Sequence, residues 1–228
     1  MAKFSPIKIP VTLEIVTPVL EVERMMLQAI RDIFNKGLPK VAELVQKDLQ
    51  QNISRVITET NEYESLILGP LNAHFGLEKG SELGRLDDII SVLAKSIRVI
   101  PIRVAVRGKK LTGGLRIGMF QADFQDILNI PSAFVHTAKG EVLPWLEWLL
   151  LRGDQIIIVD YRIDFANHPQ SRSGEAIMIK DQSSIWRVPP GVSGDKKANW
   201  ITRAVKKHLG FITKLVTASV DRNLDKVL

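Results

Sequence analysis

The spacing of apolar residues predicts two helices in the first quarter of the chain. A first helix is predicted over residues 21–35, with Gly37 just beyond its end and Pro39 in the first turn of the next helix. In this second helix an apolar residue recurs every four positions, at Val41, Val45, Leu49, Ile53 and Ile57. Such spacing is typical of an amphipathic helix that buries one face.

An alternation of apolar and polar residues in the middle of the chain predicts β-strands. Residues 102–106 and 115–120 alternate in this way on either side of a glycine-containing turn, which predicts a β-hairpin. Further strands are predicted over 133–137, 156–165 and 175–180, and further helices over 87–95, 145–152, 198–208 and 211–225. This order favours an α+β fold, in which an antiparallel β-sheet packs against an N-terminal amphipathic helix and C-terminal helices.

The first 20 residues are predicted to form an extended N-terminal arm, because Pro6, Pro10 and Pro18 disfavour a helix. Val11, Leu13 and Ile15 alternate with polar residues, which indicates either an edge strand or an arm. Residues 21–228 are predicted to form a single α+β domain. Two long loops, 166–174 and 183–197, flank one short strand of this domain. Long loops inside a compact domain are uncommon and tend to be functional. We therefore expect the arm and both loops to become ordered only against a neighbouring subunit.

The composition removes several classes of protein. The chain has no cysteine, which excludes disulfide bonds and cysteine-bound metals. No apolar run approaches the roughly 20 residues of a membrane-spanning helix, and the N-terminus has no signal-peptide core. We expect a protein made in the cytoplasm, with no membrane partner. The formal net charge of +6 favours an anionic partner.

The sequence contains no recognisable catalytic motif. The four histidines are not at metal-ligand spacing, and no glycine-rich phosphate-binding motif is present. Asp160, Asp164 and Glu175 lie on or beside neighbouring predicted strands and could together hold Mg²⁺. Because Asp160 and Asp164 alternate with apolar residues, a half-solvated strand is the favoured interpretation. We assign no catalytic residue, metal ligand or cofactor.

The predicted hairpin is strongly basic. Residues 97–122 contain six basic residues and no acidic residue. Five of the basic residues are assigned to a charged docking surface: Arg103, Arg107, Lys109, Lys110 and Arg116. Arg103 and Arg107 are predicted to share the hairpin face opposite the apolar one. This surface is either fully solvated or matched by the acidic surface of a protein partner or by DNA.

An almost wholly apolar helix is predicted within residues 143–153, with Trp145 and Trp148 three residues apart. A helix that is apolar nearly all round is buried on several sides. It is either a central core helix or a helix partly buried by a neighbouring subunit, because tryptophan is enriched at the hot spots of interfaces.

Five segments, in this order along the chain, resemble a single family. They are YESLILGPLNAHFGL (63–77), LPWLEWLLLRG (143–153), SRSGEAIM (171–178), WRVPPGVSG (186–194) and NWITRAV (199–205). Together they resemble tailed-bacteriophage structural proteins of the neck and tail-completion region. The resemblance implies a virion protein without catalytic residues, located at the neck or tail and present in the host cytoplasm during assembly.

The resemblance also implies a six- or twelve-fold homo-oligomeric ring that joins the head to the tail. The implied partners are further copies of this protein and neighbouring connector, portal or tail-tube proteins, with DNA in the channel as a further contact. The predicted interface residues are aromatic, leucine or arginine residues of the resembling segments: Trp145, Trp148, Leu149, Arg172, Trp186, Arg187, Trp200 and Arg203. The alternatives are a basic nucleic-acid-binding module and, third, a metal-dependent phage nuclease.

Overall fold

A computed structural model describes residues 4–14, 20–121, 123–137, 139–166 and 168–224. Within these ranges the chain forms α-helices over Leu20–Thr58 (α1), Asn61–Leu68 (α2), Pro70–Phe75 (α3), Glu82–Ser96 (α4), Gln125–Leu128 (α5), Trp145–Leu151 (α6), Trp200–Lys207 (α7) and Leu209–Leu224 (α8). The strands are Phe4–Glu14 (β1), Arg98–Arg107 (β2), Lys110–Gln121 (β3), Val135–His136 (β4), Val142–Leu143 (β5), Ile158–Phe165 (β6) and Ala176–Trp186 (β7). The predicted α+β class is confirmed, with three small antiparallel sheets among these residues in place of one.

The chain divides into two compact units, and each contains helices and strands. The first comprises Met1–Asn52, Ala94–Ala122 and Gly210–Leu228, and the second comprises Ile53–Leu93 and Asp123–Leu209. The first unit holds the three-stranded sheet, in the order β1-β3-β2. The second unit holds the two-stranded sheets β4-β5 and β6-β7.

Helix α1 runs through the position where the sequence predicts a break. Gly37 and Pro39 both lie inside it, so Gly37 does not end a helix. An internal proline removes one backbone hydrogen bond and costs about 3 kcal/mol. Here Gly37 and Leu38 are buried, as are Val41 and Val45 one and two turns further on. The helix continues because tertiary packing of this face outweighs the local cost.

The predicted N-terminal arm is a strand of the chain's own sheet. Strand β1 pairs antiparallel with β3 from Phe4 opposite Gln121 to Glu14 opposite Lys110. Residues 4–14 therefore have their ladder partner within this chain and do not need a neighbour's sheet edge, contrary to our expectation. The remainder of the predicted arm, at residues 1–3 and 15–19, lies outside the described residues.

The β2–β3 hairpin is confirmed, with a shorter turn than predicted. Only Gly108 and Lys109 separate the strands, and residues 110–114 belong to β3. The β2 ladder shifts register between Ile102 and Ala105. This bulge brings the Cα atom of Val104 to 2.6 Å from the place where a Cβ atom on Gly113 would lie. Glycine is required at position 113 because any side chain there would collide with the backbone of β2.

The outer edge of β2 is covered by amide side chains of α1. The Nδ2 atom of Asn35 donates to the Val104 carbonyl at 2.9 Å, and its Oδ1 atom accepts from the Val104 N–H at 2.7 Å. The Oε1 atom of Gln46 accepts from the Val99 N–H at 3.0 Å. Backbone groups of an edge strand otherwise remain unpaired, so these two side chains replace a missing strand.

The core of the second unit is built around α6. Trp145, Leu146, Leu149 and Leu150 are all fully buried in it. The indole Nε1 of Trp145 donates to the Ser132 carbonyl at 2.9 Å, which satisfies its polar atom inside the core. Of the two interpretations of this segment, the structure supports the core helix.

Candidate partner-binding surfaces

Four of the eight predicted interface residues are core residues. Trp145, Leu149 and Trp200 are fully buried, and only 5% of Trp186 is exposed. The indole Nε1 of Trp200 donates to Thr60 Oγ1 at 2.9 Å, so its polar atom is also satisfied internally. These four side chains cannot touch a neighbouring subunit unless the core opens. Tryptophan content alone did not distinguish a core from an interface.

Trp148 and Arg172 are half-buried and line a cavity of about 430 Å³ in the second unit. The Trp148 ring packs on Trp186 at a centroid distance of 5.5 Å, and Trp186 Nε1 donates to His74 Nδ1 at 3.4 Å. Burial lowers the pKa of His74, because the charged imidazolium loses its solvation. His74 is therefore an acceptor in an aromatic wall, and Trp148 supports that wall.

Arg172, which was predicted to lie at an interface, contacts the backbone of its own chain. Its Nη1 donates to the His136 carbonyl, which fixes strand β4. Burial, together with the positive charge of Arg85, lowers the pKa of Arg172. A Cβ atom on Gly76 would lie 2.8 Å from Arg172 Nη2, and Gly76 also has a left-handed φ of +58°. The guanidinium therefore occupies space that only a glycine leaves open.

Arg203 binds the backbone of a loop that was predicted to become ordered only against a neighbouring subunit. Its Nη2 donates to Glu62 Oε1 at 2.9 Å and to the Val192 carbonyl at 2.8 Å, and its Nη1 donates to the Ser193 carbonyl at 3.1 Å. The irregular segment is residues 187–199, because β7 extends to Trp186. This 187–199 loop has its contacts within the chain, so that part of the expectation was wrong. Of the three arginines predicted to lie at an interface, only Arg187 is exposed.

The β6–β7 sheet exposes apolar side chains that the sequence analysis did not select. Large apolar residues of both strands are between 37% and 59% exposed: Val159, Tyr161, Phe165, Ile177, Met178 and Ile185. Phe165 also contacts the His74 ring at a centroid distance of 4.9 Å. These side chains remain exposed because the described chain packs over the faces of β6–β7 only in part.

The three carboxylates considered as magnesium ligands are engaged in other contacts or stand apart. Asp160 is at a bulge of β6 with a left-handed φ of +61°, and its Oδ1 accepts from the Ser183 N–H at 3.3 Å. Asp164 pairs with Arg162 at 3.6 Å and with His168 at 3.3 Å. Glu175 is exposed. Across the described residues, no group of three or more histidines and carboxylates is placed to hold a metal ion.

The predicted arginines of the hairpin are exposed, but a register shift between Ile102 and Ala105 interrupts the alternation that was expected to put Arg103 and Arg107 on one face. Arg103 and Arg107 are both exposed, whereas Val104 between them is buried. Arg116 is exposed on β3, opposite Ile100 of β2. Lys109 differs from the others, because its Nζ lies 3.3 Å from Oε2 of the buried Glu23 on α1. The charge of Lys109 is therefore matched inside the chain, and the docking surface is carried by the arginines.

A cleft of about 670 Å³ lies beside this face, between α1 and β2. Arg24, Gln28 and Arg31 line it from α1, and Arg103 lines it from β2. Asp32 binds the Arg31 guanidinium through two hydrogen bonds of 2.8 and 2.9 Å. In the part of the chain that the structure describes, no carboxylate forms an ion pair with Arg24 or Arg103. This basic cleft, defined by Arg24, Gln28, Arg31 and Arg103, is suited to an anionic group.

Comparisons with known proteins found no matching family model, no matching curated protein and no matching solved structure. Among the described residues, no helix combines the length and apolar character needed to cross a membrane.

Proposed function

We propose that this chain is a virion structural protein of the phage neck or tail-completion region, which assembles in the host cytoplasm into a ring that joins head to tail. The resemblance of five ordered segments supplies the phage context. The observation that carries an assembly role is the exposure of Tyr161, Phe165 and Met178 on one face of β6–β7. A six- or twelve-fold ring of this protein, bound to portal, connector or tail-tube proteins, is the arrangement proposed.

Strands β6 and β7 pair only with each other among the described residues. A two-stranded sheet is at best marginally stable in water unless something packs on it. Tyr161, Phe165 and Met178 are partly or largely exposed here, and contiguous exposed apolar surface marks protein–protein contacts. A neighbouring subunit or connector protein that covers β6–β7 would remove this surface from water.

The test is the location and copy number of the protein in purified virions. We expect it to co-purify with intact particles and to be present in six or twelve copies. Quantitative mass spectrometry against the portal protein of the same particles provides the number. Absence from virions, or a single copy at the neck, would contradict the proposal.

The proposal also includes the absence of catalysis. We expect purified protein incubated with plasmid DNA and Mg²⁺ to leave the DNA intact, because Asp160 and Asp164 are held by Ser183, Arg162 and His168. The variant Asp164→Ala should behave identically in an agarose-gel assay. Magnesium-dependent cleavage that Asp164→Ala abolishes would show instead that these carboxylates bind a metal.

A further inference from the structure

Charge is strongly segregated along the chain. Residues 98–121, the β2–β3 hairpin, contain six basic residues and no acidic residue. Residues 59–93, which include α2, α3 and most of α4, contain seven acidic residues and two basic residues. The basic segment belongs to the first unit and the acidic segment belongs to the second.

The acidic segment presents a defined surface on α2 and α4. Glu64 and Leu68 lie one turn apart on α2, and Leu83 and Asp87 lie one turn apart on α4. All four side chains are exposed, and Leu68 is 84% exposed. Burial and, second, the negative charge of Asp87 raise the pKa of Tyr63, the residue next to Glu64 on α2. We call Glu64, Leu68, Leu83 and Asp87 the acidic surface.

This acidic surface lacks internal partners for its charges. Neither Glu64 nor Asp87 forms an ion pair with a basic residue among the described residues, whereas Glu62 on the same helix is bound by Arg203. Two exposed leucines and two carboxylates without ion pairs give these residues both apolar and charged character. Exposed apolar side chains among charged ones are suited to protein contact.

The basic hairpin has the complementary composition. On β2, the side chain of Ile100 is 47% exposed, and the side chains of Arg103 and Arg107 are also exposed. Arg103 also lines the basic cleft together with Arg24. A guanidinium binds a carboxylate through charge-assisted hydrogen bonds, with two donors in parallel. The cleft can therefore receive a carboxylate while Ile100 contacts an apolar side chain.

We propose that the basic hairpin and cleft of one copy bind the acidic surface of a second copy. The two surfaces are different, so the contact is head-to-tail, and each copy offers one surface of each kind to its two neighbours. A head-to-tail contact that closes generates a ring. The inference rests on the ring of the proposed function and names the two faces that form it. DNA would be an alternative anion for the arginines, but it leaves Leu68 and Leu83 uncovered.

The first test uses the absence of native cysteine. Leu68→Cys and Ile100→Cys are made as separate variants, so that each carries one thiol. On mild oxidation of an equal mixture, we expect about tenfold more disulfide-linked dimer than either variant forms by itself, because the contact joins unlike surfaces. A control mixture of Ile100→Cys with Val142→Cys, whose valine is exposed outside the acidic surface, should give only background dimer.

The second test exchanges the charges. The hairpin variant carries Arg103→Glu with Arg107→Glu, and the helix variant carries Glu64→Lys with Asp87→Lys. We expect each variant by itself to lose association by at least about tenfold, because like charges then face each other. A mixture of the two variants should regain association, since the reversed faces again join opposite charges. Circular dichroism of each variant should remain that of the parent, because all four side chains are exposed.

The outcomes separate this inference from the proposed function. If neither exchange changes association, or if the mixture of variants does not recover, the assignment of these faces is wrong even when virions contain a ring of this protein. If the hairpin variant loses binding to a short DNA duplex at physiological salt and the helix variant associates normally, the arginines form a nucleic-acid site. If virions lack the protein but the two variants complement each other, the proposed function fails and the interface stands.

Discussion

Replacing Trp145 by alanine will destabilise the second unit by about 3–5 kcal/mol, the range for truncating a fully buried tryptophan. The side chain has no exposed area, packs on Phe75 at a ring-centroid distance of 5.7 Å and donates to the Ser132 carbonyl. The substitution therefore leaves a cavity and removes a buried hydrogen bond. Domains of this kind have about 5–15 kcal/mol of stability in total, so a loss of this size is a substantial part of it.

Urea unfolding of Trp145→Ala and of the parent protein measures this loss. The matched control is Trp148→Ala, three residues further along α6, because Trp148 is half-buried. It should cost about half as much, since less apolar area leaves water in folding. If Trp145→Ala and Trp148→Ala cost the isolated subunit the same stability, and Trp145→Ala also impaired assembly, Trp145 would be an interface residue.

Replacing Arg203 by alanine will free the 187–199 loop and cost about 2–4 kcal/mol. The substitution leaves the Glu62 carboxylate, whose side chain is 15% exposed, without its ion-pair partner. The carbonyls of Val192 and Ser193 lose their donors at the same time. Removing one partner of a buried charge pair is costly because the other charge remains desolvated.

Limited proteolysis followed by mass spectrometry detects the freed loop. We expect Arg203→Ala to be cut within residues 187–199 at protease concentrations that leave the parent protein intact. Arg187→Ala is the control, because it removes an exposed arginine from the beginning of the same loop. Equal cleavage of the parent and both variants would mean that the contacts of Arg203 do not hold the loop.

The apolar pattern predicted the kind of most elements correctly, but it misplaced their ends where packing outweighs local preference. Gly37 and Pro39 are strong helix-breaking signals in sequence. Both are inside α1, because Leu38 and Val41 belong to one continuous buried face. Asn35 and Gln46 of the same helix bond to β2, 69 and 53 residues further along the chain, so a local window does not contain the tertiary contacts of α1.

The hairpin was predictable as a pair of strands, whereas its register was not. Both Arg103 and Arg107 are exposed, but the alternation that predicted them on one face is interrupted between Ile102 and Ala105. The bulge between Ile102 and Ala105 depends on the close approach of Val104 to Gly113. In sequence, Gly113 and Gly114 indicated a turn, because glycine is common in turns and in close backbone contacts alike.

The candidate surfaces were predictable only in part, since charge is visible in sequence and pairing is not. The basic hairpin was evident from composition. Glu23 neutralises part of its charge by pairing with Lys109, and Arg203 forms an ion pair with Glu62. Both ion pairs join residues far apart along the chain. The exposure of the β6–β7 side chains depends on which distant segments pack over the faces of the sheet, and the pattern of a single strand does not contain that information.

The amide side chains on β2 determine how this sheet can meet other proteins. Between Val99 and Val104, whose N–H groups are held by Gln46 and Asn35, the strand contains Pro101, which has no N–H to offer. An incoming strand would find few free donors along this edge, so the sheet cannot be extended there into a growing fibril. The sheet is protected on this side against amyloid-like stacking, and contacts at the hairpin are left to side chains, whose charges make such contacts reversible and sensitive to ionic strength.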